Sequence, residues 1–183
     1  METEKLIRKC VRNDRKAQHQ LFGLYSDKMY LVAFRYLRNR SAAEDVIVHA
    51  FLKIFQSLEK FKYESDEKFQ AWIRRIVVNE ALIEIRRAKQ MPEFTNEMPE
   101  IHFPANSGEN MYYDELVLLI ESLPEGYCMV FKLYVIEGYN HAEIGDLLGI
   151  SEGTSKSQLA RARYLLQKMI TESVDFIHQS QNG

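Results

Sequence analysis

The sequence predicts an all-α protein. Two helical domains are joined by a flexible acidic linker, and the second domain is a helix-turn-helix. Three observations point there. Glycine and proline are scarce, 8 and 4 among 183 residues, while strong helix formers are many. Helical periodicity fails from about residue 89, where Pro92, Pro99, Pro104 and the turn signal Asn106, Ser107, Gly108 interrupt it. Residues 140–166 then read as two short helices around a tight turn. The boundaries expected are 1–88 for the first domain, 89–111 for the linker, 112–170 for the second domain and 171–183 for a polar tail.

In the first domain, residues 14–38 carry Ala17, Leu21, Leu24, Tyr25, Met29, Leu31, Val32 and Tyr36 as a pair of helical stripes. Glu44 and Asp45 open the next helix, where acids favour the positive end of the dipole. Ala43, Val46, Ile47, Ala50, Phe51, Ile54 and Phe55 follow the i, i+3, i+4, i+7 spacing of a core stripe. A further helix over 69–87 turns Phe69, Trp72, Ile73, Ile76 and Val77 inward. Trp72 fits either the core or a base-stacking platform; its helical spacing favours the core. Arg74, Arg75, Asn79, Arg86, Arg87 and Lys89 lie along the rest of that helix.

The helix-turn-helix is legible residue by residue. Asn140 caps its first helix and Glu143 reaches back in a capping box. Ile144, Leu147 and Leu148 form the buried stripe, Gly149 suits a left-handed cap, and Ile150 plugs the turn. Ser151 caps the second helix, in which Leu159, Ala162, Leu166 and Met169 share a face. The opposite face holds Gly153, Thr154, Ser157, Ala160, Arg161 and Tyr164, flanked by Lys156, Gln158 and Arg163. Small residues permit close approach to a groove, and polar and basic ones bond phosphates and base edges. A helical hairpin with merely solvated charges is the plainer reading. Cap, turn and face composition together favour DNA binding.

Charge is uneven. Residues 1–89 hold 19 Lys/Arg and 12 Asp/Glu; residues 90–131 hold none and 8; residues 132–183 hold 5 and 6. The formal net charge of −2 is not that of an autonomous tight DNA binder, since phosphate neutralisation supplies most nonspecific affinity. A protein that borrows affinity from a large partner tolerates it. Cys10 and Cys128 are too few for a disulfide framework and read as reduced thiols of a cytoplasmic protein. The charged start lacks the apolar core of a signal peptide, and no run of about 18 apolar residues suggests a span. No zinc spacing, phosphate loop or nucleophile elbow is present, so neither enzyme chemistry nor a cofactor is expected.

Residues 123–163 resemble the fourth region, and residues 41–61 with 69–87 the second region, of the extracytoplasmic-function sigma factors, promoter-recognition subunits of bacterial RNA polymerase. The resemblance spans nearly the whole chain. It implies core polymerase as partner, through the clamp helices of its largest subunit and its flap, and promoter DNA as ligand. Asp45, Val48, His49 and Leu52 fall at the polymerase-binding positions. Lys62, Tyr63, Arg74, Arg75, Asn79, Arg86 and Arg87 fall where the minus-ten element binds. Ser151, Thr154, Lys156, Ser157, Gln158, Arg161 and Arg163 fall where the minus-thirty-five element binds. The loop at 62–68 corresponds to one that captures a flipped base, and the linker to one that threads the polymerase cleft.

Departures stand out. The family pattern Asp-x-x-Gln-Glu-x-Phe reads Asp45, Val48, His49, Phe51 here, losing an amide and a carboxylate. Glu84 replaces a common Asp, and Ser155, Lys156, Ser157, Gln158 replace Val-Lys-Ser-Arg. Val48, His49, the acidic loop and the low charge keep one alternative open, a sigma-derived adaptor recruited by a second DNA-locating partner. The other alternative, a stand-alone helix-turn-helix regulator, would need dimer symmetry and its own affinity, and the chain has neither an obvious dimer seam nor a basic reading domain. An anti-sigma factor is a further partner the resemblance suggests.

Overall fold

The computed structural model describes residues 2–94 and 113–181, with side chains described in the second stretch over 116–171. The linker reading falls largely on residues 95–112, outside the described residues. The chain divides into two compact units, Met1–Gln90 and Met91–Gly183.

The first unit contains α1 (Glu2–Val11), α2 (Arg15–Leu37), α3 (Arg40–Ser57), a 3-10 turn (Leu58–Lys60) and α4 (Asp66–Arg87). Polar caps set the helix starts. Asp14 accepts from the amides of Lys16 and Ala17 at 2.9 and 3.1 Å, Asn39 from Ala42 at 3.0 Å, and Ser65 from Lys68 at 3.2 Å. Such caps are worth about 1 kcal/mol each. They correct two expected boundaries. Helix α3 begins at Arg40, a turn before Glu44 and Asp45, and α4 begins at Asp66, inside the expected loop.

Helices α2, α3 and α4 pack mutually around one core. Helix α2 buries Ala17, Leu21, Tyr25, Met29, Val32, Ala33 and Tyr36, a single stripe. Leu24 and Leu31 stay 55% and 62% exposed, so the second expected stripe has no partner within the unit. From α3 come Ala43, Val46, Ile47, Ala50, Phe51 and Ile54. From α4 come Phe69, Ile73, Val77, Val78, Ala81, Leu82 and Ile85. Trp72 and Ile76, expected inward, are half-buried. The Phe69 ring meets Tyr25 and Phe61 at 5.4 Å each and Trp72 at 5.9 Å. Trp72 tilts against Phe61 at 4.7 Å, so it covers the core edge rather than filling it.

The second unit contains α5 (Tyr113–Glu121), α6 (Glu125–Phe131), a π-helical turn (Lys132–Ile136), α7 (His141–Leu148) and α8 (Glu152–Gln181). Leu119, Ile120, Leu123, Tyr127 and Cys128 pack against Ala162, Leu165, Leu166 and Met169 of α8. Lys132 is buried and paired with Glu121 at 2.6 Å. Helix α8 continues to Gln181, through most of what was expected to be a separate tail. Residues 91–94 lie on this unit: a Cβ on Gly126 would meet the Glu93 carbonyl at 2.8 Å and the Phe94 ring at 3.2 Å.

Phe69 is fully buried and joins α4 to α2 and to the turn before α4. Phe69→Ala should cost the first unit about 3–5 kcal/mol, read as a lower urea midpoint by circular dichroism. A midpoint within error of the parent would show that this ring is not central to the packing.

Candidate polymerase and nucleic-acid interfaces

On α3, Asp45, Val48, His49 and Leu52 all lie on the face turned away from the core, as i, i+3, i+4, i+7 spacing dictates. Val48 and Leu52 are each 54% exposed, so an apolar strip runs along this face.

On α4, Trp72, Arg75, Asn79 and Arg86 fall along one outer stripe. Arg75, Arg86 and Arg87 are exposed, and Asn79 is half-buried. Arg74 lies one position off that stripe, is half-buried and is less well placed for a strand running along it. Ahead of α4, Lys62 is exposed, while the Tyr63 hydroxyl donates to Asp66 at 2.6 Å. That bond pushes the Tyr63 hydroxyl up to about 12 and holds the Asp66 carboxyl below its ordinary range. Glu67 is lowered too, chiefly by its bond with Ser65. Part of the loop's unusual acidity is therefore helix-start chemistry: Asp66 and Glu67 occupy the first turn of α4.

The helix-turn-helix forms as expected. Asn140 and Glu143 complete a reciprocal capping box. Gly149 takes φ 71°, the left-handed cap. At Gly145 a Cβ would come 2.8 Å from the Ile150 carbonyl, so the turn folds back onto α7 too closely for a side chain there. Ser151 accepts from the Thr154 amide at 3.0 Å and starts α8. Lys156 and Arg163 are exposed; Thr154, Ser157 and Arg161 are half-buried. Lys156 pairs with Glu152 at 2.6 Å, both exposed. An exposed pair is worth under about 1 kcal/mol, so a phosphate can displace the carboxylate.

Gln158 is the exception. It is 0% exposed and its side chain lies against α6, where a Cβ on Gly126 would come 3.2 Å from Oε1. Ser155 and Ala162, three residues before and four after, are also fully buried, so position 158 belongs to the core stripe of α8. The expectation that Gln158 touches DNA is corrected: it packs inside the domain.

Residues 21–91 match the family model Sigma-70 region 2, and residues 113–166 match Sigma-70, region 4. The chain belongs to the extracytoplasmic-function sigma factors. It is 27% identical to the ECF RNA polymerase sigma factor SigW of Bacillus subtilis, over 94% of this chain and 98% of that protein. It is likewise 27% identical to the ECF RNA polymerase sigma-E factor of Escherichia coli K12, over 90% and 92%. Among solved structures, CnrH in complex with the cytosolic domain of CnrY aligns at a TM-score of 0.48 with 19% identity, covering 91% of this chain and 96% of that one.

In this sigma factor, the sequence reading missed how α7 and α8 are tied. His141 Nδ1 lies 2.9 Å from Ser155 Oγ, and its ring stacks on Tyr134 at 4.5 Å. The Arg163 guanidinium sits 5.7 Å over the same tyrosine ring. Ser155, standing where Val is common in the family, joins the two helices by a polar bond. The departure at 155 marks a polar side chain there, but spacing alone does not pair it with His141.

Burial, reinforced by the Lys156 cation, lowers the His141 pKa, with Glu152 acting in the opposite sense. A lowered imidazole pKa means the unfolded chain binds the extra proton first, so stability is full above the ordinary value near 6.5 and declines as pH falls below it. His141→Gln should flatten that acid-side decline in thermal midpoints of the second unit between pH 7 and pH 5. An undiminished slope would place the responsible proton elsewhere.

Proposed function

We propose that this sigma factor binds core RNA polymerase through the outer face of α3, holds the non-template strand of the minus-ten element along α4, and reads the minus-thirty-five element with α8. The observation that carries this reading is the outward placement of Asp45, Val48, His49 and Leu52 on one helix and, on another, of Lys156 and Arg163 beside the half-buried Ser157 and Arg161. Each set lies opposite a buried stripe. Capturing unstacked bases offsets the few kcal/mol that flipping each one costs, so binding drives promoter opening while the polymerase performs the chemistry. The linker serves as the tether between the two readers. A cytoplasmic location accords with the two buried thiols, of which Cys10 is pushed up to about 11 by burial and so stays protonated and inert.

A second reading, the recruited adaptor, draws on the apolar strip of Val48 and Leu52. That strip meets a partner by burial rather than by the amide and carboxylate the family pattern supplies.

Arg161→Ala should weaken upstream duplex binding by about 1–3 kcal/mol in a polymerase-bound gel shift while leaving the fold intact. Unchanged affinity would remove Arg161 from the reading face. Val48→Gln with His49→Glu should tighten binding to core polymerase in a titration. No change, or a loss, would favour the adaptor reading.

A further inference from the structure

The densest positive charge of the first unit lies on α1 and the start of α2, to which nothing above gives a role. Residues 5–16 hold six of the 19 Lys/Arg found between residues 1 and 89 but only one of the 12 Asp/Glu, a net of +5 out of +7. Lys5, Lys9, Arg12, Arg15 and Lys16 are all exposed, and none of these side chains has an ion pair among the described residues. Arg8, the sixth cation, is engaged by Glu4 at 2.7 Å. The one acid, Asp14, is occupied in capping α2 through the amides of Lys16 and Ala17.

Folding alone does not call for this arrangement. Lys5 and Lys9 sit one turn apart on α1, Arg12 follows its last turn, and Arg15 and Lys16 lie just inside α2. Like charges one turn apart repel. Arg15 and Lys16 also stand at the positive end of the α2 dipole, and no acid in the first turn offsets them. Local rules are broken in this way where function demands it. Cations spread over two helices suit an extended polyanion rather than a single small anion.

An anionic membrane is the poorer fit. Leu6, Ile7 and Cys10 are buried, and Val11 is the only exposed apolar side chain of α1, so no apolar face is left to enter a bilayer. A phosphodiester backbone needs only the cations. Helix α1 also packs on the 3-10 turn that leads into α4, so DNA held along α4 and continuing past its first turn reaches this patch.

We propose that Lys5, Lys9, Arg12, Arg15 and Lys16 form a sequence-independent contact for the phosphates of promoter DNA. The inference rests on the reading of this chain as a promoter-DNA binder and extends the DNA path beyond α4. The patch adds affinity and register without reading a base.

The test uses the full chain assembled with core polymerase, and labelled single-stranded and duplex oligodeoxynucleotides of several unrelated sequences. A variant carrying Lys9→Gln, Arg12→Gln, Arg15→Gln and Lys16→Gln should lose the same factor in affinity on every sequence. Its slope of log affinity against log salt should fall in magnitude by about 3, at roughly 0.7–0.9 per phosphate contact. The strand form that shows the change identifies the backbone held. Lys9→Arg with Lys16→Arg should keep the parent slope, and both variants should co-elute with polymerase as the parent does. A parent-like slope for the four-Gln variant on both strand forms would overturn the inference. Loss of its co-elution would also overturn it, assigning the patch to polymerase. So would loss of binding to phosphatidylcholine–phosphatidylserine vesicles with both DNA slopes unchanged, which would assign the patch to a membrane. A parent complex that binds neither strand form would overturn the promoter-binding reading, and this inference with it.

Discussion

The burial of one stripe of α4 is the constraint on which the first unit depends. Phe69, Ile73, Val77 and Ala81 are wholly inaccessible, and each large apolar side chain so buried contributes about 1.5–3 kcal/mol. That gain far exceeds what any exposed ion pair offers, so hydrophobic packing, not charge, sets the rotation of the helix. Once the rotation is fixed, Arg75, Asn79 and Arg86 have nowhere to point but outward. The same argument orients α3. With Val46, Ala50 and Ile54 inside, Asp45, Val48, His49 and Leu52 must share the surface. The candidate functional faces are thus the complements of the buried ones.

In the second unit the equivalent constraint is a close backbone approach. Gly145 lets the turn at Ile150 fold against α7, and Gly149 supplies the left-handed residue that turns the chain. Helix α8 is then held by its apolar stripe and by the bond between His141 and Ser155. This polar tie holds the second helix of the helix-turn-helix to its neighbour partly through a titratable ring. Orientation of the proposed reading face and proton binding are therefore linked within the same contact.

Much of this was legible in the sequence because helical periodicity reports burial directly. The stripes of α3 and α8, the capping box at Asn140 and Glu143 and the left-handed Gly149 all follow from spacing and residue type. Helix starts were less legible. Asn39 and Ser65 are good caps, yet the acids at Glu44 and Asp45 and the aromatic Phe69 are louder signals inside the helices. Gln158 misled for a related reason: a long amide reads as a surface residue, and only the glycine facing it on α6 shows that the core has room for it. The apolar Leu24 and Leu31 show the limit of pattern reading, because periodicity marks a stripe but not whether anything within the unit covers it.

The proposed polymerase face and the proposed duplex-DNA face, both fixed by packing, make a working sigma factor only if the first engages its partner despite Val48 and His49. The most direct test is size-exclusion chromatography of the purified chain with cognate core RNA polymerase at micromolar concentration. The account expects co-elution in a single complex. Separate elution of the chain, with both units folded by circular dichroism, would contradict it.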